Sequence, residues 1–341
     1  MIEIDGRDGG GQMLRTALTL SVLTQRRVDM INVRGDRENP GLKPQHIACI
    51  RILSRMTSGF VSGGYADSEQ VTFQPRGTPL GEHNLDIGTA GSLPLLFDTL
   101  LPLGPIIDEP IAVTATGGTD VRWSPTFAYF DRVKLQTLRR FGIDVRADLH
   151  RTGFYPAGDG AATCTVNPYE MDEIDLTERG ELQTVAIVSK ASEELAEREV
   201  AERQCQGVVD VLEEHGIEVT ESESHYVSST STGTSVLVHA RYTNGVAGFD
   251  QLGQRGTPAE EVGADAAHAF IEFHRGAGAI DQYLGDQLML PLAIAGGAYT
   301  VPTATNHMRS NAGVINEFGG DIHIDEHGAG ATVTASASLL D

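Results

Sequence analysis

The chain has 341 residues, 40% of them hydrophobic, enough apolar material for one large buried core or two ordinary ones. Against 25 lysines and arginines stand 47 acidic residues, and the net charge of −22 excludes nucleic-acid binding through a broad basic face. The positive charge is nearly all arginine, with lysine only at Lys43, Lys134 and Lys190, a balance that fits a surface working under heavy salt screening and leaves room for a small basic pocket. No apolar run reaches the ~18 residues of a membrane span and no basic-then-apolar leader opens the chain, so a cytoplasmic location is expected. Cys49, Cys164 and Cys205 are isolated, which argues against a disulfide framework or a zinc cluster.

Strand-like and helix-like segments alternate from the start. Residues 1–4 read as a short strand and 12–25 as a helix, with Leu14, Ala17, Leu18 and Val22 at helical spacing. "RVDMINVR" reads as a strand, followed by the turn "GDRENPG", a helix from about Pro44 to Met56, and the strand pair "GFVSGG" and "QVTFQP". The rhythm returns in "GTAGSLPLLFDTLLPL", "IAVTATGGTD", "SPTFAYFDRVKLQTLRRFG" and "IDVRADLH". Glycine-rich turns feed apolar helices at 9–23, 88–103, 117–141 and 285–296, which suggests a repeated strand–helix unit, although an ordinary α/β chain has a similar rhythm. From 176 to 272 the chain is more acidic and reads strand, long helix (193–215), strand, strand, helix. This predicts a small α/β domain inserted into a main domain built from 1–175 and 273–341.

The candidate chemistry lies in the turns. "DGRDGGGQMLR" has neither the lysine of a P-loop nor the spacing of a dinucleotide fingerprint. Gln12 and Arg15 share a helical face near a helix start, where free N–H groups and the dipole favour an anion. Asp8 just ahead could hold a divalent metal or a hydroxyl; the plain alternative is a tight turn with a surface arginine. "VRGDRENPGLKPQH" gathers Arg34, Arg37, Lys43, Gln45 and His46, a local anomaly in so acidic a chain. Guanidinium groups bind phosphate oxygens bidentately, so an anion pocket is preferred over a loop whose cations pair with surface acids. "DIGTAGSLP", with Thr89 and Ser92, and "GGTD" are further anion-friendly turns. His307 sits in the polar stretch "TATNHMRSN", where a lone histidine is by default structural or solvated. His323, Asp325 and His327 in "DIHIDEH" read as an acidic strand and turn rather than a metal site. No motif of a serine hydrolase, zinc protease or P-loop ATPase is present.

Taken together, "DGRDGGGQMLRTALTLS", "RGDRENPGLKPQH", "DIGTAGS", "GGTDVRWSP", "HRTGFYPAGDG", "TERGE", "AEREVA", "YLGDQLMLPLA" and "TNHMRSNAGVINEF" resemble the RNA 3′-terminal phosphate cyclases, in the family's order and over nearly the whole chain. The resemblance implies an α+β fold of repeated two-strand, two-helix units, like the enolpyruvyl transferases, with a smaller thioredoxin-like α/β domain inserted. It implies that ATP and a divalent metal (Mg or Mn) convert an RNA 3′-phosphate to a 2′,3′-cyclic phosphate. The implied route has three steps: a histidine takes AMP from ATP, AMP passes to the RNA 3′-phosphate, and the 2′-OH closes the ring and expels AMP. His307 matches the nucleophile, and Arg15, Arg34, Arg37, Gln45 and His46 the phosphate-handling positions. Asp8 stands where the family has glutamate and takes the metal role. Gln12 helps place phosphates, and Tyr283, Asp286, Gln287 and Pro125 match a nucleotide pocket. RNA 3′-phosphate ends are the implied partners, no membrane is, and the oligomeric state stays open, a homodimer being one option. The alternative is a non-catalytic, ribosome-biogenesis relative acting as a scaffold; such relatives lack the histidine and much of the arginine set.

Overall fold

The computed structural model describes residues 1–7, 9–328, 330–336, 339 and 340. Three stretches of chain fold alike. In the first, β1 (Ile2–Asp5), α1 (Gly11–Thr24), β2 (Val28–Ile31), α2 (Pro44–Met56), β3 (Phe60–Ser62) and β4 (Val71–Gln74) form a sheet of order β1-β2-β4-β3. In the second, β5 (Glu82–Asp86), α3 (Leu93–Phe97), a 3-10 turn (Leu101–Ile106) and β6 (Ile111–Gly117) are followed by the helical run α4 (Phe127–Tyr129), a π segment (Phe130–Leu135) and α5 (Gln136–Arg140), then β7 (Val145–Arg151) and β8 (Gly160–Val166). Its sheet order, β5-β6-β8-β7, repeats the first.

The third stretch is interrupted after its first strand. β9 (Ile174–Leu176) pairs with β14 (Gly297–Val301), reached through α8 (Gln282–Ala295), and α9 (Asn306–Glu317), β15 (Ile322–His327) and β16 (Gly330–Ala335) complete the order β9-β14-β16-β15. In each unit the first two strands run parallel and the last two join antiparallel. The expected repeat is therefore present in a fuller form, with a terminal strand pair added to the strand–helix–strand–helix core.

Between β9 and α8 lie β10 (Leu182–Ser192), α6 (Val200–Glu214), β11 (Glu221–Val227), β12 (Thr234–Tyr242), β13 (Val246–Leu252) and α7 (Ala259–Arg275), with sheet order β11-β10-β12-β13. The limits expected at 176 and 272 fall at the end of β9 and in the last turn of α7. The single helix expected over 193–215 is broken: 193–198 is a 3-10 turn, and Glu199 adopts a left-handed φ of 52° before α6 begins. One face of this sheet packs Val185, Ile187, Val236, Val238 and Ala240 with Phe270 and Val208 from the two helices. The other face joins the main core through Val188, Leu237 and Val246. Buried carboxylates fasten that join. Asp120 accepts from Ser235 Oγ at 2.8 Å and pairs with Lys190 Nζ at 3.4 Å, and Asp250 accepts from the Thr126 N–H at 2.7 Å.

Helix α1 lies between α2 and α9 and buries Leu14, Ala17, Leu18, Leu20, Val22 and Leu23. A helix covered on several sides needs apolar residues around most of its circumference, which is why its spacing is not that of a simple amphipathic stripe. Full burial of each leucine stabilises by about 1.5–3 kcal/mol, so the start of this helix is held rigidly. Because the first two strands of each unit are parallel, the helices that follow them start at one end of each sheet.

Candidate active site at three helix starts

The starts of α1, α2 and α9 meet around Gly10 and Gly11 of the opening loop. A methyl group at Gly10 would stand 3.6 Å from a guanidinium nitrogen of Arg37 and 3.7 Å from His307 Cε1. At Gly11 it would run into the His46 ring, 2.2 Å from Nε2, with Arg15 NH1 at 3.3 Å. The glycines thus bring His307, Arg37, His46 and Arg15, from three chain segments, to one place. None of α1, α2 and α9 has an acidic residue in its first turn, and α1 has no side-chain cap, so its N–H groups stay available to an anion.

The histidines differ. His46 is buried as the third residue of α2, and its Nδ1 accepts from the Lys43 N–H at 3.0 Å, which leaves the proton on Nε2. Burial first, then Arg15, Arg34 and Lys43, push its pKa down to about 3, so it is neutral. His307, the second residue of α9, is exposed; partial desolvation, then Arg37 and Arg15, hold it below the usual 6.5. Its imidazole is therefore mostly neutral at neutral pH, one ring nitrogen keeping its proton and the other offering a lone pair, the form a nucleophile needs.

The arginines have different positions as well. Arg15 is half-buried and Arg37 exposed, and neither guanidinium makes an ion pair or hydrogen bond among the described residues. Desolvation lowers the pKa of Arg15, opposed by Cys49 and Asp98, but a guanidinium keeps its charge. Arg34 also braces its own loop: φ is 56°, and NH1 donates to the Asn39 and Gly41 carbonyls at 2.9 and 3.0 Å. Lys43 is neutralised by Asp67 at 2.5 Å, as the surface-pairing alternative expects.

A second layer lies behind. Gln12 Nε2 donates to the Asp286 carbonyl at 3.3 Å, and the Asp286 carboxyl accepts from Thr305, the N-cap of α9, at 2.5 Å. Burial raises Asp286 to about 6. Gln45 lies against the Cys49 thiol, yet neither its Oε1 nor its Nε2 has an oxygen or nitrogen partner, and Gln287 Oε1 and Asn311 Oδ1 are likewise buried and unpaired. Buried amides without partners are costly in a free protein and are what a bound polar ligand would satisfy. Tyr283 is 55% exposed in the first turn of α8, and Pro125 is half-buried one residue before the Thr126–Asp250 bond. Among the described residues no hydrogen bond or ion pair joins Pro125 or Tyr283 to the His307 cluster. Asp8 lies outside the described residues. Thr305 and Asn311 were missed in the sequence; Asn311 follows His307 by four residues on α9, a helical spacing that could have found it.

The chain matches the family model described as RNA 3′-terminal phosphate cyclase over residues 7–323. A protein of that name from Halobacterium salinarum is 39% identical, covering 98% of this chain and 99% of the relative. The chain belongs to the RNA 3′-terminal phosphate cyclase family. Cyclases so named from Pyrococcus furiosus (38% identical, 97% of this chain, 96% of the relative) and Caldivirga maquilingensis (37%, 93% and 92%) are similar over the same extent. The range matched by the family model takes in the second unit and the interrupting segment whole and most of the first and third units, and it includes every candidate site residue, Asp8 among them.

Proposed function

We propose that this family member converts an RNA 3′-phosphate to a 2′,3′-cyclic phosphate at the expense of ATP, with His307 as the nucleophile. The observation that carries the reading is the pairing of His307 with Arg37 across Gly10 at an acid-free helix start. A neutral imidazole nitrogen forms a bond to the α-phosphorus of ATP as the bond to pyrophosphate breaks. An oxygen of the RNA 3′-phosphate then displaces the histidine, and the 2′-oxygen closes on the 3′-phosphorus as AMP leaves. Each step builds negative charge on phosphoryl oxygens, which Arg15, Arg37 and the α1 N–H groups are placed to bind. Gln12, Gln45, Gln287 and Asn311 offer amides for ribose, base or phosphate, and Tyr283 and Pro125 border the nucleotide.

Among the described residues no group of three His, Cys, Asp or Glu side chains is gathered as a metal site, so no step is derived through a metal. Asp8 remains the residue proposed to contact one. The composition supports work at high salt in a cytoplasm. Incubation with α-labelled ATP and Mg or Mn tests the reading: acid-labile, base-stable label on the protein, absent from His307→Ala, is expected. Label retained by that variant overturns the nucleophile, and failure to cyclise a 3′-phosphorylated oligoribonucleotide at both high and low salt overturns the enzyme reading in favour of a scaffold.

A further inference from the structure

The chain's only tryptophan, Trp123, is 93% exposed, the most exposed large apolar side chain among the described residues. Its backbone is left-handed, with φ 62°, a conformation bulky residues rarely adopt. Soluble proteins scatter single apolar residues on their surfaces without consequence. Here, however, a large ring, a strained backbone and a particular position coincide.

The position follows from the repeat. Trp123 lies in the loop joining the second strand of unit two to its second helix. The equivalent loop of unit one carries Arg34 and Arg37, and that of unit three ends at Thr305, two residues before His307. The Trp123 loop also adjoins the site. The Gly118 N–H donates to the Gly91 carbonyl at 2.7 Å, and a methyl group at Gly91 would stand 2.8 Å from Gln45 Oε1. Both ends of the loop are fixed, by the Asp120–Lys190 pair and by the Thr126–Asp250 bond, and Ser124 Oγ donates back to the Val121 carbonyl at 2.9 Å. The tip left between these anchors is Arg122 and Trp123. Arg122 is exposed and has no ion pair among the described residues, and no carboxylate lies between Val121 and Thr126. Tyr155 is 65% exposed and follows Phe154, whose backbone bridges Asp120.

We propose that Trp123 is a stacking platform for a base of the RNA strand leading into the site, with Arg122 beside it taking a backbone phosphate. The inference rests on the cyclase reading, since it names how that substrate is held. A base offers a π-face whatever its identity, so one ring on a rigid tip binds single strands without sequence preference, and a lone arginine supplies charge without a broad basic face. The fixed loop ends remove part of the ordering cost that a flexible loop would pay on binding.

Because Trp123 is the only tryptophan, intrinsic fluorescence excited at the red edge, beyond the absorption of the eight tyrosines, reports on it alone in the intact protein. A 3′-phosphorylated oligoribonucleotide is expected to quench it, and ATP alone is not. Trp123→Ala should leave the melting curve and self-labelling by α-labelled ATP unchanged while raising KM for the oligonucleotide about 5- to 150-fold, the range for loss of one stacked base. Trp123→Phe should recover part of that loss. An oligonucleotide abasic upstream of its last nucleotide should show equal KM with Trp123→Ala and the parent. Quenching by ATP alone, or loss of self-labelling in Trp123→Ala, overturns the proposal in favour of a place in the nucleotide pocket. An unchanged KM overturns it outright. A parent protein that does not self-label fails the cyclase reading instead, and the fluorescence titration separates the two failures.

Discussion

The opening glycines offer the sharpest test, because neighbouring positions should fail in opposite ways. Gly11→Ala places a methyl carbon 2.2 Å from Nε2 and 2.8 Å from Cδ2 of His46, more than an ångström inside normal contact. The ring cannot turn away: it is buried, and its Nδ1 holds the Lys43 N–H at 3.0 Å. Replacing glycine in a helix gains about 0.5–1 kcal/mol, but overpacking costs about 1–3 and loss of the His46 bond about 0.5–1.5. The net is a destabilisation of about 0.5–4 kcal/mol. Gly10→Ala differs, since φ is −87° and the new methyl meets Arg37 and His307 at ordinary contact distances of 3.6 and 3.7 Å. Gly10 is the N-cap of α1, where glycine is preferred to alanine, so this variant should lose only about 0.5–1 kcal/mol. The methyl nevertheless occupies the gap where a phosphate would bridge guanidinium and imidazole, so self-labelling by α-labelled ATP should fall about tenfold or more, a barrier increase of about 1.4 kcal/mol. Denaturant melts and the labelling assay on both variants decide it. A Gly11→Ala protein as stable as the parent, or a Gly10→Ala protein that labels normally, would refute the reasoning.

Four further outcomes are expected. His307 is held below 6.5, so its neutral form predominates at neutral pH and is lost on acidification; the acid limb of self-labelling should lie below 6.5 and move up towards it in Arg37→Gln. Unfolded histidines take a proton near 6.5 and His46 only at about 3, so acidification through that window opposes folding by about 1.4 kcal/mol per pH unit. Asp281 and Asp286, raised to about 6 from 3.8, do the reverse between those values; Asp286→Asn should therefore steepen the loss of stability between pH 6 and 3.8, read from melts at several pH values. Lys134 is buried 2.5 Å from Asp98, so Lys134→Met should cost about 3–5 kcal/mol by stranding the carboxylate, with much of it recovered in the Asp98→Leu double variant. Finally, melting temperature should rise with KCl as screening relieves the repulsion of a −22 charge; a flat dependence would remove the high-salt reading.

Local punctuation made much of this architecture readable. Pro44 at the first turn and the apolar run to Met56 mark the extent of α2 closely, and the glycine-rich turns suggest the repeat. The break at Glu199 was not readable, because no glycine or proline marks it and only tertiary packing holds a glutamate at φ 52°. The same holds in the site. Arg15 and His46 stand out by residue type and position at a helix start. The contact of Gln12 with the Asp286 carbonyl spans 274 residues and exists only because unit three folds back on unit one. Arg34 looks in sequence like a twin of Arg37, and only the backbone shows that it spends two bonds on its own loop. His307 has no local signal that sets it apart among eleven histidines; its resemblance to a family motif singled it out, and its place beside Gly10 is what the fold adds.

The charge of the whole chain and the chemistry of its site pull in opposite directions, and the helix starts reconcile them. A surface at −22 repels a triphosphate or an RNA end at long range, most strongly at low salt. At contact distance the local groups decide. Acids enter the first turns of α6 and α7 in the interrupting segment, as Glu202, Glu260 and Glu261, where they favour the helix dipole. From α1, α2 and α9 they are absent, which forgoes that stabilisation at the places where a phosphate would need the dipole for itself. Glutamate placed at Gln12 would restore the ordinary helix preference while setting a carboxylate against the incoming phosphate. Gln12→Glu gives up the donation to the Asp286 carbonyl, about 0.5–1.5 kcal/mol, against about 0.3–1 regained from the dipole. It should therefore stay within about 1 kcal/mol of the parent in stability and still lose ATP binding, a combination that a purely structural role for this turn does not produce.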